Sequence, residues 1–256
     1  MYGPKVRLRA LALVESGLSL RPVSMSMGIN RSTLREWRDD PEKARNARAW
    51  CPRCSVEPAL PEPCADYAYL LGLYLGDGCI SVAGDRAKGV WKLRIMCADT
   101  WPGLVEECVQ AMRAIRPENT VMKVQRQGCT EVLSCSRHWP CLFPQHGPGR
   151  KHLRKIELAE WQQIIVGRYP GPFARGLFHS DRYRGLNRVR RTLARGERWY
   201  EYPRYLFVNE SADILRLCGA TLDQLGVEWR FSKPNTISVA KREAVARLDE
   251  FAGPKY

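Results

Sequence analysis

The chain is 256 residues long and 45% hydrophobic, enough for one domain of ordinary size plus a small accessory unit. Its formal net charge of +14, from 41 Lys and Arg against 27 Asp and Glu, points to a polyanionic partner. No apolar run reaches the ~20 residues that span a bilayer and no signal peptide opens the chain, which argues against a membrane partner and for a cytoplasmic location.

Residues 1–40 read as a compact helical unit. Val6, Leu8, Leu11, Leu13 and Val14 mark a first helix, 18–27 a second, Gly28-Ile29-Asn30 a tight turn and 32–38 a third. Two short helices about a glycine turn, the second carrying Arg31, Ser32, Thr33 and Arg35, resemble the helix-turn-helix DNA-binding unit of resolvases and transposases. Those four residues are the candidate DNA contacts. Residues 41–65 form a linker rich in Pro, Ala and charge. It carries Cys51-Pro52-Arg53-Cys54, which looks like half a zinc knuckle and makes Cys51 and Cys54 candidate Zn²⁺ ligands. The run from His138 to His146, with Cys141, is a source for the missing ligands. The other cysteines of the ten are expected to be thiols or core fillers, not a disulfide framework.

From residue 66 onward one order of elements occurs twice. The first round, 66–171, opens on a helix ending Leu70-Leu71-Gly72-Leu73-Tyr74-Leu75-Gly76-Asp77-Gly78. Strands follow at 79–82 and 90–97, then a helix over 101–115 capped by Asp99 or Thr100, strands at 121–126 and 130–136, and a short helix within 156–166. A Pro and Gly link is expected at 169–172. The second round, 172–256, opens on Ala174-Arg175-Gly176-Leu177-Phe178-His179-Ser180-Asp181. Strands are expected at 184–190 and 204–208, a helix over 212–225 capped by Asn209 or Ser211, strands at 227–231 and 236–239, and a last helix over 242–251. The class is α+β, two αββαββα repeats that each supply a four-stranded sheet.

In each opening helix two small residues lie four apart and an aspartate follows: Gly72 and Gly76 before Asp77, Gly176 and Ser180 before Asp181. Small residues at that spacing let two backbones approach closely, so if the helices pack together their aspartates end side by side. Carboxylates at the negative ends of two helices are costly for stability, and a divalent cation such as Mg²⁺ would offset the cost. Arg182, Arg184, Arg188, Arg190, Arg191, Arg195 and Arg198 follow the second motif, as expected of side chains that neutralise phosphates.

At these motifs the chain resembles the LAGLIDADG family of homing endonucleases, in the form with two repeats on one chain, over residues 66–253. The resemblance implies two pseudo-symmetric halves forming a saddle for double-stranded DNA, used by a monomer. It implies Mg²⁺-dependent phosphodiester hydrolysis, with Asp77 and Asp181 as catalytic metal ligands beside the backbone carbonyls of Gly76 and Ser180. It also implies a basic residue near the last strand of each half; Lys241 or Arg242, and Arg137, are the candidates. Arg182 stands where the pattern has a glycine, and either contacts phosphate or pairs with Asp181 at the metal position. His179 replaces an acidic residue and reads as a core or seam residue. A DNA-binding regulator on a degenerate scaffold of this kind is the competing reading, and an RNA binder is third.

Overall fold

The computed structural model describes residues 2, 4–41, 44, 51–54, 58–85, 89–193 and 196–253. The chain divides into two compact units, Met1–Pro61 and Glu62–Tyr256. In the first, helices α1 (Pro4–Glu15), α2 (Leu20–Met27) and α3 (Arg31–Asp39) enclose Ala10, Leu11, Val23, Ile29, Leu34 and Trp37. Gly28, at φ +64°, ends α2 in a left-handed conformation, and Asn30 caps α3 by accepting the Ser32 N–H at 3.0 Å. Arg31, Ser32 and Arg35 are exposed on α3, and Thr33 is half-buried. Much of the expected linker, and Arg195, lie outside the described residues.

The second unit begins with α4 (Cys64–Asp77), which runs directly into β1 (Gly78–Val82) and β2 (Trp91–Ala98). Then come α5 (Pro102–Ile115), β3 (Val121–Arg126), β4 (Cys129–Ser136), the short α6 (Trp139–Leu142), a 3₁₀ turn (Lys151–Leu153) and α7 (Glu160–Arg168). The same order recurs as α8 (Pro170–Asp181), β5 (Arg182–Leu193), β6 (Gly196–Val208), α9 (Ala212–Gln224), β7 (Arg230–Lys233), β8 (Thr236–Val239) and α10 (Arg242–Ala252). Among the described residues the strands make two four-stranded antiparallel sheets, β1-β2-β4-β3 and β5-β6-β8-β7. The α+β class and the doubled sheet order therefore hold. No disulfide joins the described cysteines, and no described helix is long and apolar enough to cross a membrane.

Several boundaries differ from expectation for local reasons. Pro170 is the first residue of α8 and not part of a link, because a helix's first turn has no use for that N–H. Trp101 caps α5, since the Asp99 carboxylate instead accepts from Gln125 Nε2 at 2.7 Å and Thr130 Oγ1 at 2.9 Å. Val227 turns back to the Leu222 carbonyl (2.9 Å) around Gly226, at φ +66°, so β7 starts only at Arg230. The hairpin β5–β6 stays paired out to Leu193 and Gly196, far beyond Tyr205 and Phe207, the buried residues of β6.

Burial on every side marks α4 as the central helix, with Tyr67 through Leu75 all buried. It crosses α8 through the small residues. A Cβ placed on Gly72 would lie 2.5 Å from the Phe173 carbonyl oxygen and 2.7 Å from the Leu177 nitrogen; one on Gly176 would collide with the Tyr69 carbonyl. Backbone cannot yield as a flexible side chain can. Gly72→Ala or Gly176→Ala is therefore expected to destabilise the protein by about 3 kcal/mol or more in urea unfolding. Gly167→Ala, in α7 with nothing within 4 Å of the new methyl, is expected to be neutral or to stabilise by up to about 1 kcal/mol.

Candidate cation site at the helix crossing

The crossing sets the ends of α4 and α8 against each other. A Cβ on Gly76 would meet the Ser180 side chain and come within 3.1 Å of Asp181 Oδ2, so Gly76 and the second carboxylate are neighbours. Asp77 and Asp181 are each the last residue of their helix and half-buried. Each is followed at once by a first strand: Gly78 pairs with Ile95 of β2, and Arg182 with Phe207 of β6. The sequence repeat is thus a repeat in space.

Gly78 is needed for its missing side chain and not for a left-handed turn. Its φ is −83°, and a Cβ there would lie 2.8 Å from the Tyr74 carbonyl oxygen. Arg182, which stands where the pattern has a glycine, is extended as well, at φ −103°, so the position needs no left-handed residue. Its guanidinium donates to the Gly253 carbonyl at 2.9 Å and the Tyr205 hydroxyl at 3.3 Å, and stacks over the Tyr205 ring.

The basic group at the carboxylates is Lys151, which the sequence reading passed over. Its Nζ donates to the carbonyls of Tyr74 (2.6 Å), Leu75 (2.8 Å) and Gly76 (2.5 Å), the negative pole of α4. Burial lowers its pKa to about 8, while the charges of Asp181 and Asp77 act to raise it. Both carboxylates therefore act on one ammonium. Asp181 Oδ2 also accepts from Asn209 Nδ2 at 2.7 Å, and Ser211 is the residue that caps α9. Lys241 is the N-cap residue of α10, bonded to Glu228 at 2.6 Å, in a surface depression with Glu243 and Glu250; Arg137 is exposed after β4. Lys151 follows a Gly- and Pro-rich stretch, Gly147-Pro148-Gly149, with no periodicity to set it apart.

The donors around Asp77, Asp181 and the Gly76 carbonyl are hard oxygens, the chemistry that Mg²⁺ takes. Ser180, whose carbonyl was a further candidate, is half-buried in the last turn of α8 and bonds its hydroxyl to the Leu177 carbonyl at 2.8 Å. Cys51 and Cys54 lie on one turn of the first unit, where the Cys54 N–H donates to the Cys51 carbonyl at 3.2 Å. In the second unit the Cys141 N–H donates to the His138 carbonyl at 3.1 Å, at the start of α6.

Among the expected phosphate contacts, Arg182, Arg184, Arg188 and Arg190 alternate along β5 and share one face. Arg184 is held by both oxygens of Asp249 at 3.0 and 2.9 Å, Arg188 pairs with Glu201, and Arg190 with Glu197 at 3.3 Å. Arg191 is directly opposite Arg198 in the hairpin register.

No family model matches the sequence, and no curated protein does. Solved structures do resemble the fold. Mesophilic variants of the homing endonuclease I-DmoI match at 15% identity and TM-score 0.49, over 74% of this chain and 96% of theirs. The N-terminal LAGLIDADG domain of DUF199/WhiA matches at 11% and 0.43 over 82% of this chain and 86% of that one. The LAGLIDADG meganuclease I-AabMI, bound to uncleaved DNA, matches at 10% and 0.45 over 72% and 82%.

Beneath the site the seam is fastened by His179, buried as expected of a seam residue. Its Nε2–H donates to the Ala252 carbonyl at 2.8 Å, so Nδ1 accepts the Tyr69 hydroxyl at 3.0 Å and the ring is neutral. Glu107 lies 3.7 Å from Nδ1 and is claimed by Arg175 at 2.7 Å. Burial, then Arg175, lowers the His179 pKa to about 4. The unfolded imidazole, near 6.5, takes up a proton first on acidification. Stability present above about pH 6.5 is therefore expected to fall between pH 6.5 and 4, by up to about 3 kcal/mol. Urea unfolding across that range should show this slope reduced in His179→Gln.

Proposed function

We propose that the protein is a divalent-metal-dependent endonuclease acting on double-stranded DNA, in the manner of the family that its two motifs resemble. What carries this reading is the convergence of Asp77 and Asp181 at the crossing, where both carboxylates act on a single ammonium. A fold gains nothing in stability from two half-buried carboxylates at the negative poles of two packed helices, so their placement speaks for function. Asp77 and Asp181 would hold Mg²⁺, with the Gly76 carbonyl beside them. When bound, the ion would polarise the scissile phosphate and lower the pKa of a water. Asn209 orients the Asp181 carboxylate from behind. The arginine face of β5 would hold the phosphate backbone, its exposed ion pairs exchanging acidic side chains for phosphates at little cost.

The saddle formed by the two sheets is read as the duplex-binding surface, and the chain as a monomer in which one half mirrors the other. The exposed Arg31, Ser32 and Arg35 on α3, with Thr33, would add sequence recognition as a helix-turn-helix. The Cys51–Cys54 turn would take zinc as half of a ligand set. Zinc content of protein purified without chelator, measured for the wild type and a Cys51→Ser/Cys54→Ser variant, tests that assignment: it requires zinc in the first and its loss in the second.

The second reading, a regulator that binds DNA without cutting it, is favoured by Lys151, whose ammonium bonds the Gly76 carbonyl that metal would use. Cleavage assays decide between the two. Asp77→Asn is expected to abolish Mg²⁺-dependent nicking of a selected duplex while leaving duplex affinity within about tenfold, because this carboxylate positions metal and contributes little to phosphate binding. Wild-type protein that binds but never nicks, with any divalent ion, would leave the regulator.

A further inference from the structure

We propose that Lys151 is the resident cation of this site: its ammonium holds the place of a divalent ion, and metal enters only by displacing it. The inference rests on the metal-dependent reading above and adds its regulation. An ammonium has three N–H donors, and Lys151 directs them to three successive carbonyls, those of Tyr74, Leu75 and Gly76. No donor is left over, and the Tyr74 ring lies 5.3 Å from Nζ on the apolar side. The last turn of α4 thus receives a full positive charge where its dipole is negative, beside Asp77 and Asp181.

A hard cation needs the same lone pairs. The Gly76 carbonyl cannot serve an ammonium and a divalent ion together, and two cations in one half-buried pocket repel each other strongly. Displacement is built in on the other side. Lys151 opens a three-residue 3₁₀ turn whose next two residues, His152 and Leu153, are exposed, Leu153 at 75%. The turn is flanked by firmer points: Arg154 bonds the carbonyls of Gly147 and Gly149 at 2.9 and 2.8 Å, and Gln145 bonds the Glu157 carbonyl at 2.7 Å. The lysine can therefore withdraw toward solvent without unpacking α7 or α4. Metal-free protein keeps its carboxylates balanced, and loading is graded by the divalent ion concentration.

The test is calorimetric titration of Ca²⁺ into the full chain without DNA. Lys151→Met is expected to bind Ca²⁺ about tenfold or more tighter than the wild type, and Asp77→Asn in the Lys151→Met background to lose that gain. Equal or weaker binding by Lys151→Met, or no binding by either protein, overturns the proposal. Because the methionine removes a donor from three carbonyls and could disturb the fold, a second measurement uses the wild type alone. Acetylation of Lys151 by an amine-reactive reagent, relative to the exposed Lys155, is read by mass spectrometry. A severalfold rise on adding Mn²⁺ is expected, and an unchanged ratio overturns displacement. Failure of this inference would appear as metal binding indifferent to Lys151 while Mg²⁺-dependent nicking persists. Failure of the nuclease reading would appear as metal bound without nicking.

Discussion

Two helix backbones touch where side chains would normally keep them apart, and the second unit is arranged around that contact. Helices lined by large residues sit about 8 to 10 Å from axis to axis. At Gly72 and Gly176 even a methyl group would strike the backbone of the facing helix. The close approach is bought with glycine in the middle of two helices, where it is a poor former, and the buried Leu, Tyr and Phe around it make up the difference. Because each helix leads without a loop into the first strand of its own sheet, fixing the crossing also fixes both sheets relative to the pair of aspartates.

The electrostatics follow from the same contact. Two helix C-termini and two carboxylates meet in one small volume, a concentration of negative charge that must be balanced from within the chain or by an ion. Within the chain the balance comes from Lys151 at the pole of α4 and from the Asn209 amide at Asp181. Other polar groups of the seam have partners within the chain. His179 is held between Tyr69 and the Ala252 carbonyl, and Glu107 is held by Arg175. The two aspartates and Lys151 are thus at the end of the crossing, while its tight middle carries Arg175 as an ion pair with Glu107.

Much of this was legible in the sequence. The small residues four apart and the aspartates after them predicted the crossing, and the α+β order predicted the sheets, because period and spacing are local properties of the chain. The long hairpin was only half visible: the outer part of β6, Gly196 to Glu201, is exposed throughout, so no hydrophobic period marks it. The N-cap of α5 was misread because Asp99 has better partners across the sheet than in its own helix. Lys151 was invisible for a deeper reason. It reaches the site from a Gly-Pro loop about 75 residues from its acceptors, and nothing short of tertiary structure brings them together. Lys241 and Arg137, chosen by position in the repeat, are exposed, and Lys241 pairs with Glu228.

The central claim is that the glycine crossing makes Asp77 and Asp181 into a single cation site. Anomalous diffraction from crystals of the full chain grown with Mn²⁺ and duplex DNA tests it most directly. The account predicts anomalous density bridging the two carboxylates, with the Lys151 side chain withdrawn from the Gly76 carbonyl. Manganese bound elsewhere, or carboxylates that share no ion, would contradict it.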